Sequence, residues 1–165
     1  MLKWEEAQEP LHRDIDSTKI CGVGPGMAFS NSVLERDSDI GVIGLVPCAI
    51  GGTKISEWSR GGNLYNQLVT RALAALRGGG IIRAILWYQG ESDASNNSSL
   101  ASEIEDAIQY NKSLTEFITN VTSDLRSPLV PFIQVWLYAL TPTQNGLAVI
   151  FFSVIKLRML SIVFP

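Results

Sequence analysis

The sequence has few of the residues that metal sites, disulfide frameworks and histidine-based catalysis require. Its 165 residues include two cysteines, Cys21 and Cys48, and one histidine, His12. The cysteines match no zinc spacing and are too few for a disulfide framework, so we expect two buried or idle thiols and no metal site. His12 lies among charged residues in a polar segment, so we expect it to be solvated or locally paired rather than catalytic.

The sequence also lacks any concentration of charge of one sign. Thirteen Lys and Arg residues and sixteen Asp and Glu residues give a net charge of -3. The basic residues form no stripe, and this excludes nucleic acid as an expected partner. Residues 1–6 contain no apolar core of a secretory signal peptide, and there is no internal repeat. The length suffices for one domain with a real core.

Three short, β-branched apolar runs predict buried strands of a parallel sheet. They are residues 40–46, 81–88 and 132–137. Between the first two runs, apolar residues recur at helical spacing over residues 64–76, and a longer, broken helical stripe over residues 96–125 precedes the third. Alternating strands and helices predict an α/β fold in which the three strands are parallel neighbours in one sheet.

Two of these predicted strands end in loops that suit a ligand site. Each loop contains glycine next to polar side chains; the six residues are Gly51, Gly52, Thr53, Gln89, Gly90 and Glu91. Parallel strands bring their carboxyl ends to one edge of a sheet, so we predict that the two loops lie side by side. Glycine can present backbone N–H groups to a ligand, although a plain tight turn is the alternative.

Three aromatic residues flank the two predicted loops, namely Trp58, Trp87 and Tyr88. Large aromatic side chains beside glycines commonly form the wall of a pocket. They also close hydrophobic cores, and the sequence leaves both interpretations open.

The C-terminal segment departs from this pattern. Residues 146–165 are almost wholly apolar, but Lys156 and Arg158 lie near the middle. Each charge would cost about 3 kcal/mol at a bilayer centre, which disfavours a membrane span. We therefore predict a partial domain over residues 1–140, followed by an atypical apolar tail over residues 141–165.

Three stretches together resemble the plant carbohydrate esterases of the sialate O-acetylesterase-like group, within the SGNH hydrolase superfamily. They are the glycine-rich turn and helix start at residues 22–29, residues 43–58 with their Gly-Gly-Thr, and Trp87-Tyr-Gln-Gly-Glu-Ser-Asp93. The resemblance spans roughly residues 4–137, and the second and third motifs are specific as a pair. It implies a three-layer α/β/α sandwich with a parallel sheet. It also implies a serine-type hydrolase that removes acyl groups from carbohydrates without a cofactor.

The resemblance assigns roles to both loops. In such enzymes the Gly-Gly-Thr and Gln-Gly-Glu loops line the oxyanion hole and the pocket, which here correspond to residues 51–53 and 89–91. A glycine N–H and the side-chain amide of Gln89 would then donate to the developing oxyanion. One such donor is worth about 3 to 4 kcal/mol.

The sequence also departs from the family. The nucleophile motif Gly-Gln-Ser-Asn-Met and the later Asp-x-x-His pair do not occur in it, and Ile50 precedes the glycine pair where relatives tend to carry a small polar residue. We therefore expect an incomplete, largely inactive copy of an esterase. Two alternatives remain: a non-catalytic carbohydrate-binding remnant, and a fragment whose uncovered core favours self-association.

Overall fold

The computed structural model describes residues 3–93 and 100–135. In chain order these residues form helix α1 (Pro25–Arg36), helix α2 (Asn63–Ala75), strand β1 (Ile85–Tyr88), helix α3 (Leu100–Asp124) and strand β2 (Phe132–Val135). Single turns of 3-10 helix lie at Ser38–Ile40, Ile55–Trp58 and Leu76–Gly78.

Strands β1 and β2 are parallel neighbours, which confirms the α/β class with a parallel sheet. Ile85 lies opposite Phe132, and Tyr88 lies opposite Val135. Helix α3 makes the connection between the two strands, as a parallel pair requires. The ladder is shorter than the apolar run 81–88, because only residues 85–88 face a partner strand. Residues 136 and 137 of the third predicted strand lie outside the described residues.

The strand predicted at residues 40–46 is wrong. Ile40 ends a 3-10 helix, and the residues that follow belong to no ladder. Gly41 adopts φ 80°, a left-handed conformation that interrupts an extended chain. Strand β1 pairs with β2 on one edge, and no strand in the described ranges lies beside its other edge. Residues 40–46 therefore have the apolar, β-branched sequence of a strand but pair with no other strand among the described residues.

The predicted helices are present with small changes at their ends. Helix α1 begins at Pro25, because proline is compatible with a first helical turn. Helix α2 ends at Ala75 and continues as a 3-10 turn to Gly78, where Gly79 at φ 97° stops it. Helix α3 is described from Leu100 onward, within the range predicted from the sequence.

The hydrophobic core lies between α2, α3, the 3-10 turn Ile55–Trp58 and the sheet. Its centre is Phe117, whose ring lies 4.5 Å from that of Trp87 and 6.3 Å from that of Trp58. Trp58 and Trp87 meet edge to face at 5.5 Å. All the buried members of this cluster lie between Ile55 and Val130 in sequence. The two tryptophans therefore close the core, one of the two roles left open by the sequence.

The predicted boundary at residue 140 and the apolar tail that follows it lie outside the described residues. Within residues 3–93 and 100–135, no helix combines the length and the apolar character that a membrane span needs.

Candidate functional site

The two predicted site loops lie against each other at the carboxyl end of β1. The side-chain amide of Gln89, the first residue after the strand, donates a hydrogen bond to the carbonyl oxygen of Thr53 at 2.9 Å. A second link joins the same loops, because the backbone N–H of Ile55 donates to both carboxylate oxygens of Asp93 at 3.0 and 3.1 Å. The loops are thus held together by one side chain from the start and one from the end of the second loop.

Both donors of the Gln89 amide are used inside the protein. Nε2 of Gln89 lies 2.9 Å from the Thr53 carbonyl oxygen and 2.5 Å from Oδ2 of Asp93. Both neighbours are acceptors, so the orientation of the amide is fixed by the chemistry of its partners. Its Oε1 is buried and has no hydrogen-bond partner among the described residues. The geometry therefore makes Gln89 a link between the two loops.

Residues 16–19 hold the outer side of the Gly51–Gly52 turn. The buried carboxylate of Asp16 accepts a hydrogen bond from the backbone N–H of Gly51 at 2.8 Å. The ammonium group of Lys19 donates to the carbonyl oxygen of Gly51. Gly52 has φ 75°, and a Cβ there would come within 3.1 Å of Nζ of Lys19. Only glycine fits this position without strain.

Asp16 was missed by the sequence analysis. It lies in a polar N-terminal segment that matches no motif and follows no predicted strand. Its hydrogen-bond partner, Gly51, lies 35 positions later in the sequence. The one available signal is a negatively charged residue five positions before Cys21 and the glycine-rich turn that follows, which is too weak to predict a buried carboxylate.

Thr53 fastens the first loop to the core. Its hydroxyl donates to the carbonyl oxygen of Ile50 at 2.9 Å and accepts from the indole N–H of Trp58 at 3.1 Å. Because Trp58 is itself a core residue, the position of the loop depends on core packing.

The second loop is fastened by Tyr110 of helix α3. The Tyr110 hydroxyl donates to the carbonyl oxygen of Gln89 at 2.9 Å and accepts from the indole N–H of Trp87 at 3.3 Å. Burial raises the pKa of Tyr110, so the hydroxyl keeps its proton at neutral pH.

Gly90 has φ 135°, and a Cβ there would lie 3.4 Å from the Tyr110 hydroxyl. Glu91 is exposed at the surface.

An apolar cavity of about 480 Å³ opens beside these loops. Thr53 and Gln89 are among its polar lining residues, and Trp58, Trp87 and Tyr88 contribute to its wall. Much of the remaining wall comes from residues 43–50 and helix α1. The three aromatic residues therefore line a pocket as well as, for the two tryptophans, closing the core. Trp58 and Trp87 are only 4% and 6% exposed, whereas Tyr88 is 48% exposed.

Within residues 3–93 and 100–135, the structure brings no serine hydroxyl within hydrogen-bond reach of a histidine. His12 lines the cavity, and burial lowers the pKa of its imidazole against the opposing influence of Glu9 and Asp14. Ser30 also lines the cavity, but its hydroxyl donates to the carbonyl oxygen of Gly26 at 2.9 Å. Among the described residues, no hydrogen bond connects the imidazole of His12 to a serine hydroxyl. The serines near the loops, Ser56 and Ser92, have no histidine partner there either.

The two glycine-containing loops meet at the carboxyl end of a parallel sheet, which is where α/β proteins commonly bind their ligands. Residues 1–158 match the family described as carbohydrate esterase, sialic acid-specific acetylesterase. The chain belongs to this carbohydrate esterase family.

Two comparisons with individual proteins agree with this. The chain is 53% identical over 135 residues to a probable carbohydrate esterase of Arabidopsis thaliana, covering 81% of this chain and 49% of that protein. It is also similar to a solved structure of a protein from Arabidopsis thaliana, with a TM-score of 0.72 at 53% identity, covering 81% of this chain and 52% of that one. The chain spans about half the length of the relatives it matches.

Proposed function

We propose that this chain carries the loop framework of a carbohydrate esterase site of the kind that hydrolyses O-acetyl esters on sugars, and that the chain alone does not complete the reaction. The observation that carries the proposal is the 2.9 Å hydrogen bond from Gln89 to Thr53, which joins the two family loops. It keeps the Gly51–Thr53 and Gln89–Glu91 loops at one edge of the sheet. The substrate class, an acylated carbohydrate, follows from the family.

Within this framework the proposed role of Gln89 differs from the one that the resemblance implied. Its two amide donors already serve Thr53 and Asp93, so donation to an oxyanion would break a link between the loops. The N–H of Gly51 is likewise used by Asp16. We assign the donor role to the backbone N–H of Gly52, and a positioning role to Gln89. An oxyanion donor acts only if it is held in place before charge develops.

The chain is proposed to be hydrolytically inert because no nucleophile is paired with a base in the part of the chain that the structure describes. A serine hydroxyl is a weak nucleophile until a base within hydrogen-bond reach removes its proton. The sequence has one histidine, His12, and Ser30 is bonded to a helical carbonyl. Loss of a whole triad lowers the rate on the order of a millionfold in comparable hydrolases.

Hydrolysis of p-nitrophenyl acetate tests this proposal. We expect the chain and its Gln89→Ala variant to hydrolyse the ester at the same rate within about twofold, because donors stabilise a tetrahedral intermediate only after an attack has occurred. A His12→Ala variant is the control for slow, general imidazole catalysis. The Arabidopsis relative, assayed alongside, sets the scale of a complete family member. Activity well above the His12→Ala control that disappears when a single serine is replaced would show that the chain is a working enzyme.

Sugar binding without catalysis is the alternative function, and the burial of two of the three aromatic residues speaks against it. Only Tyr88 offers an exposed face, since Trp58 and Trp87 are almost fully buried. We therefore expect no measurable calorimetric binding of an acetylated monosaccharide at millimolar concentration. Binding that a Tyr88→Ala variant loses would favour the carbohydrate-binding remnant instead.

A further inference from the structure

Two side chains from one short turn hold both backbone groups of Gly51. Asp16, which is 6% exposed, accepts a hydrogen bond from the N–H of Gly51 at 2.8 Å. The ammonium group of Lys19 donates to the carbonyl oxygen of the same glycine. Because the backbone N–H of Lys19 donates to the carbonyl oxygen of Asp16 at 3.3 Å, a single turn carries both side chains. A carboxylate and an ammonium group are thus placed on the donor and on the acceptor of one glycine.

The hydrogen bond from Lys19 sets the direction of the next backbone N–H. The Gly51–Gly52 peptide bond is trans, since the described part of the chain has its one cis bond at Glu9–Pro10. In a trans peptide the carbonyl oxygen and the N–H lie on opposite sides of the C–N bond. The N–H of Gly52 therefore points away from Lys19. Gly52 is exposed, and no group among the described residues accepts a hydrogen bond from its N–H.

The same hydrogen bond also strengthens that N–H as a donor. A positive charge on the carbonyl oxygen draws electron density out of the peptide group, and hydrogen bonds along such a chain polarise one another. A bond with one charged partner is also stronger than a neutral one. The N–H of Gly52 is therefore a better donor to an anion than a peptide N–H whose carbonyl oxygen faces water.

We propose that Lys19 is a positioning residue for the anion donor of this site, and that it acts through the Gly51–Gly52 peptide. Asp16 holds the N–H on the other side of Gly51, so this glycine is fixed at both ends. The inference rests on the proposed function, in which the N–H of Gly52 donates to the oxyanion. Lys19 itself makes no bond to the ligand and transfers no proton. Its contribution is the direction and the strength of the Gly52 donor.

Acetate, the carboxylate that hydrolysis of an O-acetyl ester releases, is the probe. The whole chain is labelled with 15N-glycine, which gives amide signals for its 14 glycines, and acetate is added at pH 7 and constant ionic strength. We expect the amide proton signal of Gly52 to move to lower field, because an anion that accepts from an N–H deshields its proton. The signal of Gly79, whose N–H already donates to the carbonyl oxygen of Leu76 at 3.1 Å, should not move.

Three variants separate the effect of Lys19 from a general attraction between charges. Lys19→Met removes the charge and keeps the length of an exposed side chain. It should move the Gly52 signal to higher field without acetate and weaken acetate binding about threefold or more. Lys19→Arg keeps the charge and should restore most of the affinity. Lys54→Met removes the same charge three positions after Gly51 and should change the affinity less than twofold. The other glycine signals verify that each variant folds as the parent chain does.

Three results would overturn the proposal. They are a Gly52 signal that does not respond to acetate, equal weakening by Lys19→Met and Lys54→Met, and a loss in Lys19→Met that Lys19→Arg does not restore. A purely structural role for Lys19 would lower the stability to urea and leave the acetate affinity unchanged, which also contradicts the proposal. The p-nitrophenyl acetate assay measures hydrolysis and not anion binding, so failure of the proposed function and failure of this inference give different results.

Discussion

The part of the chain before Ile55 and the part after it are built differently. From Ile55 to Val130, eleven apolar side chains are buried, and they pack mainly on Phe117, Trp87 and their neighbours. Before Ile55, the buried residues in the described part of the chain are Asp16 and Ser30, both polar. The first part is held by hydrogen bonds such as that from Gly51 to Asp16, whereas the second is held by a hydrophobic core.

The difference shows that an apolar pattern needs a partner before it becomes a strand. Residues 40–46 and 81–88 are both mainly apolar and contain several β-branched residues. Residues 85–88 pair with β2, and Trp87 packs on Phe117 of helix α3, whereas residues 43–46 line a cavity. Because strand propensity is largely a preference for a half-buried, paired surface, the same kind of sequence gives a strand in one place and irregular chain in the other.

Replacing Phe117 should have the largest effect, because it removes the centre of the second region. Phe117 is 3% exposed and contacts four aromatic rings. We expect Phe117→Ala to lower the free energy of unfolding by roughly 3 to 5 kcal/mol, measured by urea denaturation. Leu45→Ala, on the cavity side of the first region, should lower it by about 1 kcal/mol. Equal losses of unfolding free energy in the two variants would contradict the difference between the two regions.

The two cysteines test how well the first region excludes water. Burial raises the pKa of the Cys48 thiol to about 11, from an ordinary value of 9.0. The thiolate is the reactive form, so at pH 8 Cys48 should react with a disulfide reagent about 100-fold more slowly than an ordinary thiol, and faster as the pH rises toward 11. Single Cys21→Ser and Cys48→Ser variants assign the two rates. Fast reaction of Cys48 at pH 8 would show that the first region is open to solvent.

A polar link in the second region should give a smaller, pH-dependent effect. Tyr65 donates to a carboxylate oxygen of Asp124 at 2.5 Å, and this bond, followed by Arg60, holds the pKa of Asp124 below its ordinary value. A lowered carboxyl pKa stabilises the fold above the unfolded pKa of about 3.9, and this stabilisation disappears as the pH falls through the folded value.

The Tyr65→Phe variant should therefore be less stable than the parent in urea at pH 7, and the difference should shrink below about pH 4. Tyr110→Phe is the matched control, because its hydroxyl donates to the neutral carbonyl of Gln89. The free energy of unfolding that the Tyr110→Phe substitution removes should be nearly the same at pH 3 and at pH 7. The opposite pattern would contradict the role given to Asp124.

The sequence predicted the paired strands and the helices, since these depend on local periodicity. The two loops also lie together as expected, but for a different reason, because residues 40–46 form no strand and hydrogen bonds from Gln89 and Ile55 join the loops. It did not predict the buried Asp16 or the bond from Gln89 to Thr53, because each joins residues that are about 35 positions apart in sequence. The strand predicted at residues 40–46 was wrong for the same reason. Local pattern cannot show whether a neighbouring strand is present.

Amide hydrogen exchange of the chain without any added ligand tests the account most directly. We predict slow exchange at Ile85 and Trp87, whose backbone groups face β2, and through helix α3 around Val121, which is fully buried. We predict fast exchange over residues 41–46, which belong to no ladder. Protection of residues 41–46 equal to that of Ile85 would contradict the account, because it would place a third strand in the sheet and a core on both sides of Ile55.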